Sequence, residues 1–232
     1  TLKKALRMDE IVTRHSEIMD RYDPDKRVGL IVDEWGTWHN VEPGTHPGFL
    51  YQQNTLRDAL VAGSTLNIFN RHCDRIHMAN LAQTINVLQS LILTREGQFL
   101  LTPTYHVFDM YQVHQDADLL ETRVGDQSGY LYGGERLPQV SVSASRDENG
   151  RVHVSLCNLS PKATAWVELV FAGMSALGPV SGQILTAGEM NAHNTFEQPD
   201  HLCPAAFQSF STAGSVLTTE LAPMSVVVLE IA

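Results

Sequence analysis

From Met8 onward the apolar positions Ile11, Val12, Ile18, Met19 and Tyr22, with His15 among them, follow the three-then-four spacing of a helix with one buried face. Asp23-Pro24 stops that pattern. A continuous apolar run, Val28-Gly29-Leu30-Ile31-Val32, then closes on Asp33-Glu34-Trp35-Gly36 and predicts a strand covered on both faces, as in a parallel sheet with helices outside. Residues 39–49 are rich in Gly, Pro and His and predict a loop long enough to be a lid or a subsite wall. Leu56, Ala59, Leu60, Gly63 and Leu66 mark a second helix. Residues 75–82 predict another short strand, 85–93 a helical segment and 103–114 a further helix.

This alternation of helix and strand is that of a parallel α/β sheet. Two strands cannot be the whole sheet, because both edges would stay unpaired, and a complete (β/α)8 barrel takes about 250 residues. The first half is therefore expected to be the C-terminal part of a TIM barrel. Beyond residue 117 the period changes to short alternating or apolar runs at 140–144, 152–156, 165–169 and 225–231, separated by turn formers such as Asp147-Glu148-Asn149-Gly150. These predict an antiparallel β-sandwich of jelly-roll type. The fold class is thus α/β plus all-β, with a barrel portion over 1–116 and a sandwich over 117–232.

Composition narrows the function classes. A 43% hydrophobic chain of 232 residues has ample core, and no apolar run approaches the roughly 20 residues that span a bilayer. With 16 basic against 26 acidic residues the net charge is −10, which disfavours nucleic acid as a partner. Cys73, Cys157 and Cys203 lie too far apart for a Cys-x-x-Cys metal site and give no disulfide framework, which fits a reducing, cytoplasmic setting. Cys73 reads as a buried thiol. His72 and His77 match no usual ligand spacing and read as structural, so no metal and no cofactor is expected. Asn158-Leu159-Ser160 matches a glycosylation acceptor without a secretory context. Thr1 opens directly on a helix without a methionine, an expectation of sequence upstream.

Glu34 is the leading chemical candidate, because carboxylates at the C-terminal ends of barrel strands carry the chemistry of such folds. On a regular strand Asp33 and Glu34 point to opposite sides, so only one of them faces the barrel mouth. A strand-end acid more often caps a helix or meets solvent; Trp35 and Trp38 shift that balance, since sugar sites pair carboxylates with aromatic rings.

The segments Asp33-Glu-Trp-Gly-Thr-Trp38, Leu56-Arg-Asp-Ala-Leu-Val-Ala-Gly63, Asn70-Arg-His-Cys-Asp-Arg75, Met78-Ala-Asn-Leu-Ala-Gln-Thr-Ile-Asn86 and Met190-Asn-Ala-His-Asn-Thr-Phe-Glu-Gln-Pro199 together resemble the C-terminal part of an α-L-arabinofuranosidase of glycoside hydrolase family 51. That resemblance implies a retaining exo-hydrolase acting on terminal arabinofuranosyl groups of arabinan, arabinoxylan or their oligosaccharides. It implies Glu34 as nucleophile, Gln83 as a ligand of a furanose hydroxyl and Trp38 as a wall of the site, with Trp35 packed beneath Glu34 and Asn80 in support. It also implies a homo-oligomer, often a hexamer. The family's acid/base is the Glu of an Asn-Glu pair, and no such dipeptide occurs here, so the upstream half of the barrel is expected to supply it; of Glu17, Glu42 and Glu96 as substitutes, only Glu42 lies near enough to Glu34 in sequence to keep open. Two rivals are another retaining glycosidase on the same barrel and a non-catalytic carbohydrate-binding or assembly subunit.

Overall fold

In the computed structural model, which describes residues 1–125 and 129–232, helix α1 (Leu2–Tyr22) starts ahead of the expected Met8. Its predicted buried face is split. Leu2 and Val12 are buried, with Ala5, Leu6 and Met8 packed beside them, but Ile11, Ile18 and Tyr22 are exposed. Nothing among the described residues covers that second stripe.

The turn out of α1 is fixed by one guanidinium. Arg75, fully buried, donates to Asp23 Oδ2 at 2.9 Å, to the Val28 carbonyl at 2.8 Å and to the Asp23 carbonyl at 3.0 Å, and pairs with Asp20. Strand β1 (Leu30–Trp35) follows and pairs in parallel with β2 (Ile76–Leu81). Between them runs α2 (Leu56–Arg71), whose start is stabilised by the Asp58 carboxylate accepting from the Thr55 N–H at 2.9 Å. Leu56, Ala59, Leu60, Ala62, Ile68 and Phe69 of α2 are all buried, the pattern of a helix enclosed on every side.

The helix expected over 85–93 is absent. Residues 82–91 form a loop that leads into a hairpin of β3 (Ile92–Arg95) and β4 (Gln98–Leu101). Asn86 and Leu88 adopt positive φ of 59° and 51°, and the side chain of the buried Gln89 makes tertiary hydrogen bonds. Helix α3 (Pro103–Tyr111) then ends in a single 3₁₀ turn, Gln112–His114, so the predicted helix over 103–114 tightens at its last turn.

The remaining strands are β5 (Asp118–Leu120), β6 (Gly129–Tyr132), β7 (Glu135–Pro138), β8 (Val140–Arg146), β9 (Val152–Asn158), β10 (Ala165–Val170), β11 (Val180–Thr186), β12 (Ala205–Ala206), β13 (Phe210–Ala213), β14 (Val216–Leu221) and β15 (Ser225–Ile231). They make a six-stranded antiparallel sheet, β12-β11-β15-β9-β8-β5, a three-stranded sheet, β10-β14-β13, and a β6–β7 hairpin. Val154, Leu156, Leu229 and Ile231 of the larger sheet meet Leu217 and Leu221 of the smaller one in one core. The alternate residues Cys157, Leu185, Val226 and Val228 face a second core shared with α2 and α3. Serines on the same sheet meet α2: Asn67 and Asn70 donate to Ser141 Oγ at 3.2 Å and Ser143 Oγ at 3.0 Å, and Arg71 to the Val142 carbonyl at 3.0 Å. Asn70 and Arg71 therefore tie α2 to the larger sheet, while Arg75 ties α1 to the two parallel strands.

Candidate active site

The end of β1 is not regular. Val32 pairs with Ala79 and Trp35 with Leu81, so three steps on β1 oppose two on β2 and Asp33-Glu34 lie in a β-bulge. Bulges re-aim side chains and recur beside active sites. The strict alternation expected of Asp33 and Glu34 therefore does not apply, and both are exposed. Glu34 lines a cavity of about 460 Å³ together with Gly36, Thr37, Trp38 and His39, and with Lys4 and Met8 of α1 opposite. That volume lies within the range of small-molecule sites.

The two indoles differ in burial. Trp35 is buried, stacked on Phe108 at 5.9 Å with planes 16° apart and edge-on to Phe69 at 5.4 Å, so it anchors the strand end to α2 and α3. Trp38 is 70% exposed on the cavity wall.

Gln83 is exposed in the loop after β2 and is not part of that cavity's lining. Its loop is nevertheless anchored to the Glu34 strand, because the Ala82 N–H donates to the Trp35 carbonyl at 3.0 Å. Asn80 is exposed on β2.

A buried polar network that the sequence did not announce holds the two loops together. Gln89 Oε1 accepts from the Thr37 N–H at 2.8 Å, while Nε2 donates to the Asp58 carbonyl at 2.9 Å. Thr37 Oγ1 donates to Asp58 Oδ1 at 2.8 Å, and Gln52 Nε2 donates to the Thr37 carbonyl at 3.0 Å. Gln52 Oε1 in turn accepts from the His39 N–H at 2.8 Å. Gly36, at φ 125°, passes so close to Gln89 that a Cβ would stand 3.0 Å from its Oε1. Burial alone would push the Asp58 carboxyl up, but His39, the Arg57 guanidinium at 2.9 Å and the Thr55 N–H together hold it below the usual carboxylate range. An ionised Asp58 thus fixes the backbone immediately after Glu34. The one signal in the sequence was polar Gln89-Ser90 inside an otherwise apolar stretch.

Other candidates resolve simply. His72 Nε2 stands 2.8 Å from Asp9 Oδ1 and is structural, and Gly29 leaves room for the His77 ring. Cys73, expected to be buried, is exposed at the solvent side of the turn ending α2. Glu42 accepts from the Gln53 N–H at 3.0 Å on the loop after β1. Among the described residues no helix is long and apolar enough to cross a membrane.

A parallel strand pair with a bulged, acid-bearing end packs through helices onto antiparallel sheets. The family described as "Alpha-L-arabinofuranosidase C-terminal domain" matches residues 33–225, and the chain belongs to it. It is 41% identical over 231 residues to an "Intracellular exo-alpha-L-arabinofuranosidase" of Bacteroides ovatus, covering 100% of this chain and 45% of that protein. An "Intracellular exo-alpha-(1->5)-L-arabinofuranosidase" of Streptomyces lividans is 25% identical over 231 residues, with 94% and 34% covered. The crystal structure of the GH51 arabinofuranosidase from Xanthomonas axonopodis pv. citri superposes with a TM-score of 0.97 at 45% identity, over 100% of this chain and 46% of that one. The chain thus spans less than half the length of each.

Proposed function

We propose that the protein containing this chain is a retaining, exo-acting α-L-arabinofuranosidase that releases terminal α-L-arabinofuranosyl groups from arabinan, arabinoxylan or their oligosaccharides. In this reading β1 and β2 are the seventh and eighth strands of a (β/α)8 barrel, residues 1–116 are its C-terminal part, and 117–232 form a jelly-roll sandwich. Glu34 is the nucleophile. Its carboxylate attacks the anomeric carbon as the aglycone leaves, forming a covalent glycosyl ester that water later hydrolyses. A protonated carboxyl about 5–5.5 Å away must donate to the leaving oxygen and then activate that water. Upstream residues of the barrel supply this second acid. Trp38 walls the sugar, and Gln83, which offers both donor and acceptor without charge, binds a furanose hydroxyl.

The observation that carries this reading is the bulge that brings Glu34 into one cavity with the exposed Trp38. The names of the relatives support the sugar, the exo mode and a cytoplasmic location. A homo-oligomer, up to a hexamer, belongs to the same proposal.

The test is Glu34→Ala in the full-length protein. Hydrolysis of arabino-oligosaccharides is expected to vanish, and azide to restore cleavage of an activated arabinofuranoside with formation of the glycosyl azide of inverted configuration. Normal turnover by the variant would remove Glu34 from the mechanism.

A further inference from the structure

A second cleft, of about 300 Å³, opens where the loop after β1 meets the loop that precedes β12. His39 belongs to both this cleft and the cavity that holds Glu34 and Trp38, so the two spaces meet at that side chain. One wall carries His39, Glu42, Gln53 and Arg57; the other carries Asn191 and His193. The walls are locked to each other, because the Leu56 and Arg57 N–H groups, orphaned at the start of α2, donate to the Ala192 carbonyl at 2.8 Å and the Met190 carbonyl at 3.1 Å.

One lining residue, Arg57, holds a buried Nε that makes no hydrogen bond among the described residues, while His39 Nε2 lies 3.7 Å from Asp58 Oδ1. Buried polar atoms of this kind call for a partner. The remaining groups are the amides of Gln52, Gln53 and Asn191, the Thr55 hydroxyl, the His193 imidazole and the Glu42 carboxylate, a mixture of donors and acceptors suited to hydroxyls. An anion fits poorly, since Glu42 faces the cleft and the Arg57 guanidinium is already paired with Asp58.

We propose that this cleft is the subsite for the sugar unit on the aglycone side of the scissile bond, a neutral pentosyl residue of the substrate chain, and that Asn191 and His193 bring the C-terminal half directly into substrate selection. The inference rests on the arabinofuranosidase reading for the identity of the sugar. The deciding experiment compares wild type with the double variant Gln53→Ala/His193→Ala in the full-length protein, on α-1,5-arabinotriose and on 4-nitrophenyl α-L-arabinofuranoside. The flat nitrophenyl aglycone has no hydroxyls for the cleft to grip. kcat/KM on the trisaccharide is expected to fall about tenfold, mainly through KM, as two neutral hydrogen bonds are lost. On the aryl glycoside both parameters stay within about twofold. Unchanged trisaccharide kinetics, or an equal loss on both substrates, overturns the subsite. Should wild type cleave neither substrate, the activity reading fails on its own, and calorimetric titration with arabinotriose decides the cleft: binding that weakens in the double variant upholds it, and absent or unaltered binding overturns it.

Discussion

Strands β1, Leu-Ile-Val-Asp-Glu-Trp, and β9, Val-His-Val-Ser-Leu-Cys-Asn, meet opposite fates. Every residue of β9 is buried, and in β15 only Glu230 is not, because the six-stranded sheet has α2 and α3 on one face and the smaller sheet on the other. In β1 only Trp35 is buried and in β2 only Ile76; Val28, Ile31 and Met78 are 61%, 51% and 53% exposed. A run written for burial on both faces has one face covered here. Under the proposed function the other face belongs against the remaining barrel strands. Under that same proposal the contrast separates two duties: the closed sheets carry folding, while the open strand ends carry chemistry and take their rigidity from the Asp58 network.

That separation breaks most sharply at Glu34. Its side chain is exposed, so Glu34→Ala is expected to lower turnover by about 10⁴-fold or more while leaving the unfolding midpoint in place. A large drop in thermal stability would mean that the acid is structural instead. Asp58→Ala should damage both duties. It strips a buried, ionised acceptor from Thr37, Thr55 and Arg57, a change worth about 3–5 kcal/mol of stability, and frees the backbone behind Glu34. Denaturant titration together with kcat checks it; an intact enzyme with wild-type stability would show that Gln89 alone holds the loop. Leu156→Ala, at the centre of the closed core, should cost about 3 kcal/mol and leave kcat per folded molecule unchanged.

The legible part of this molecule followed from burial geometry. Apolar runs marked β1 and β15 and alternation marked β9, while the candidates Glu34 and Trp38 were chosen on local signals, a strand end and an indole. What stayed hidden was set by distant partners. The loop over 82–91 carries helix-like apolar spacing, but its Gln89 is committed to Thr37 and Asp58 across the fold, and that commitment defeats the helix. The two-residue strand β12 and the half-exposed β11, β13 and β14 offered little alternation to read. The bulge at Asp33-Glu34 arises from register against β2, which no single strand's sequence reveals. Ile11, Ile18 and Tyr22 show the converse: a correct helical period whose expected cover is absent among the described residues.

The smallest effect probes the seam between the two regions. His114, in the 3₁₀ turn after α3, places Nδ1 2.7 Å from Ser145 Oγ on β8 and Nε2 against Ser155 Oγ on β9. Burial, helped by the nearby His153, pushes its pKa down from 6.5 to about 4. The folded ring therefore stays neutral while an unfolded one takes up a proton. Stability from this group is fully present above pH 6.5, declines as the pH falls from there, and is lost by about pH 4. At about 1.4 kcal/mol per unit the ceiling is near 3 kcal/mol, and solvent at the partly exposed ring brings it to about 2. His114→Gln removes the titration but keeps a side chain able to bond a serine. Urea unfolding at pH 7 and pH 4.5 should then show the variant losing about 2 kcal/mol less than wild type over that interval. Parallel losses in the two proteins would place the acid sensitivity elsewhere and leave the seam indifferent to protonation.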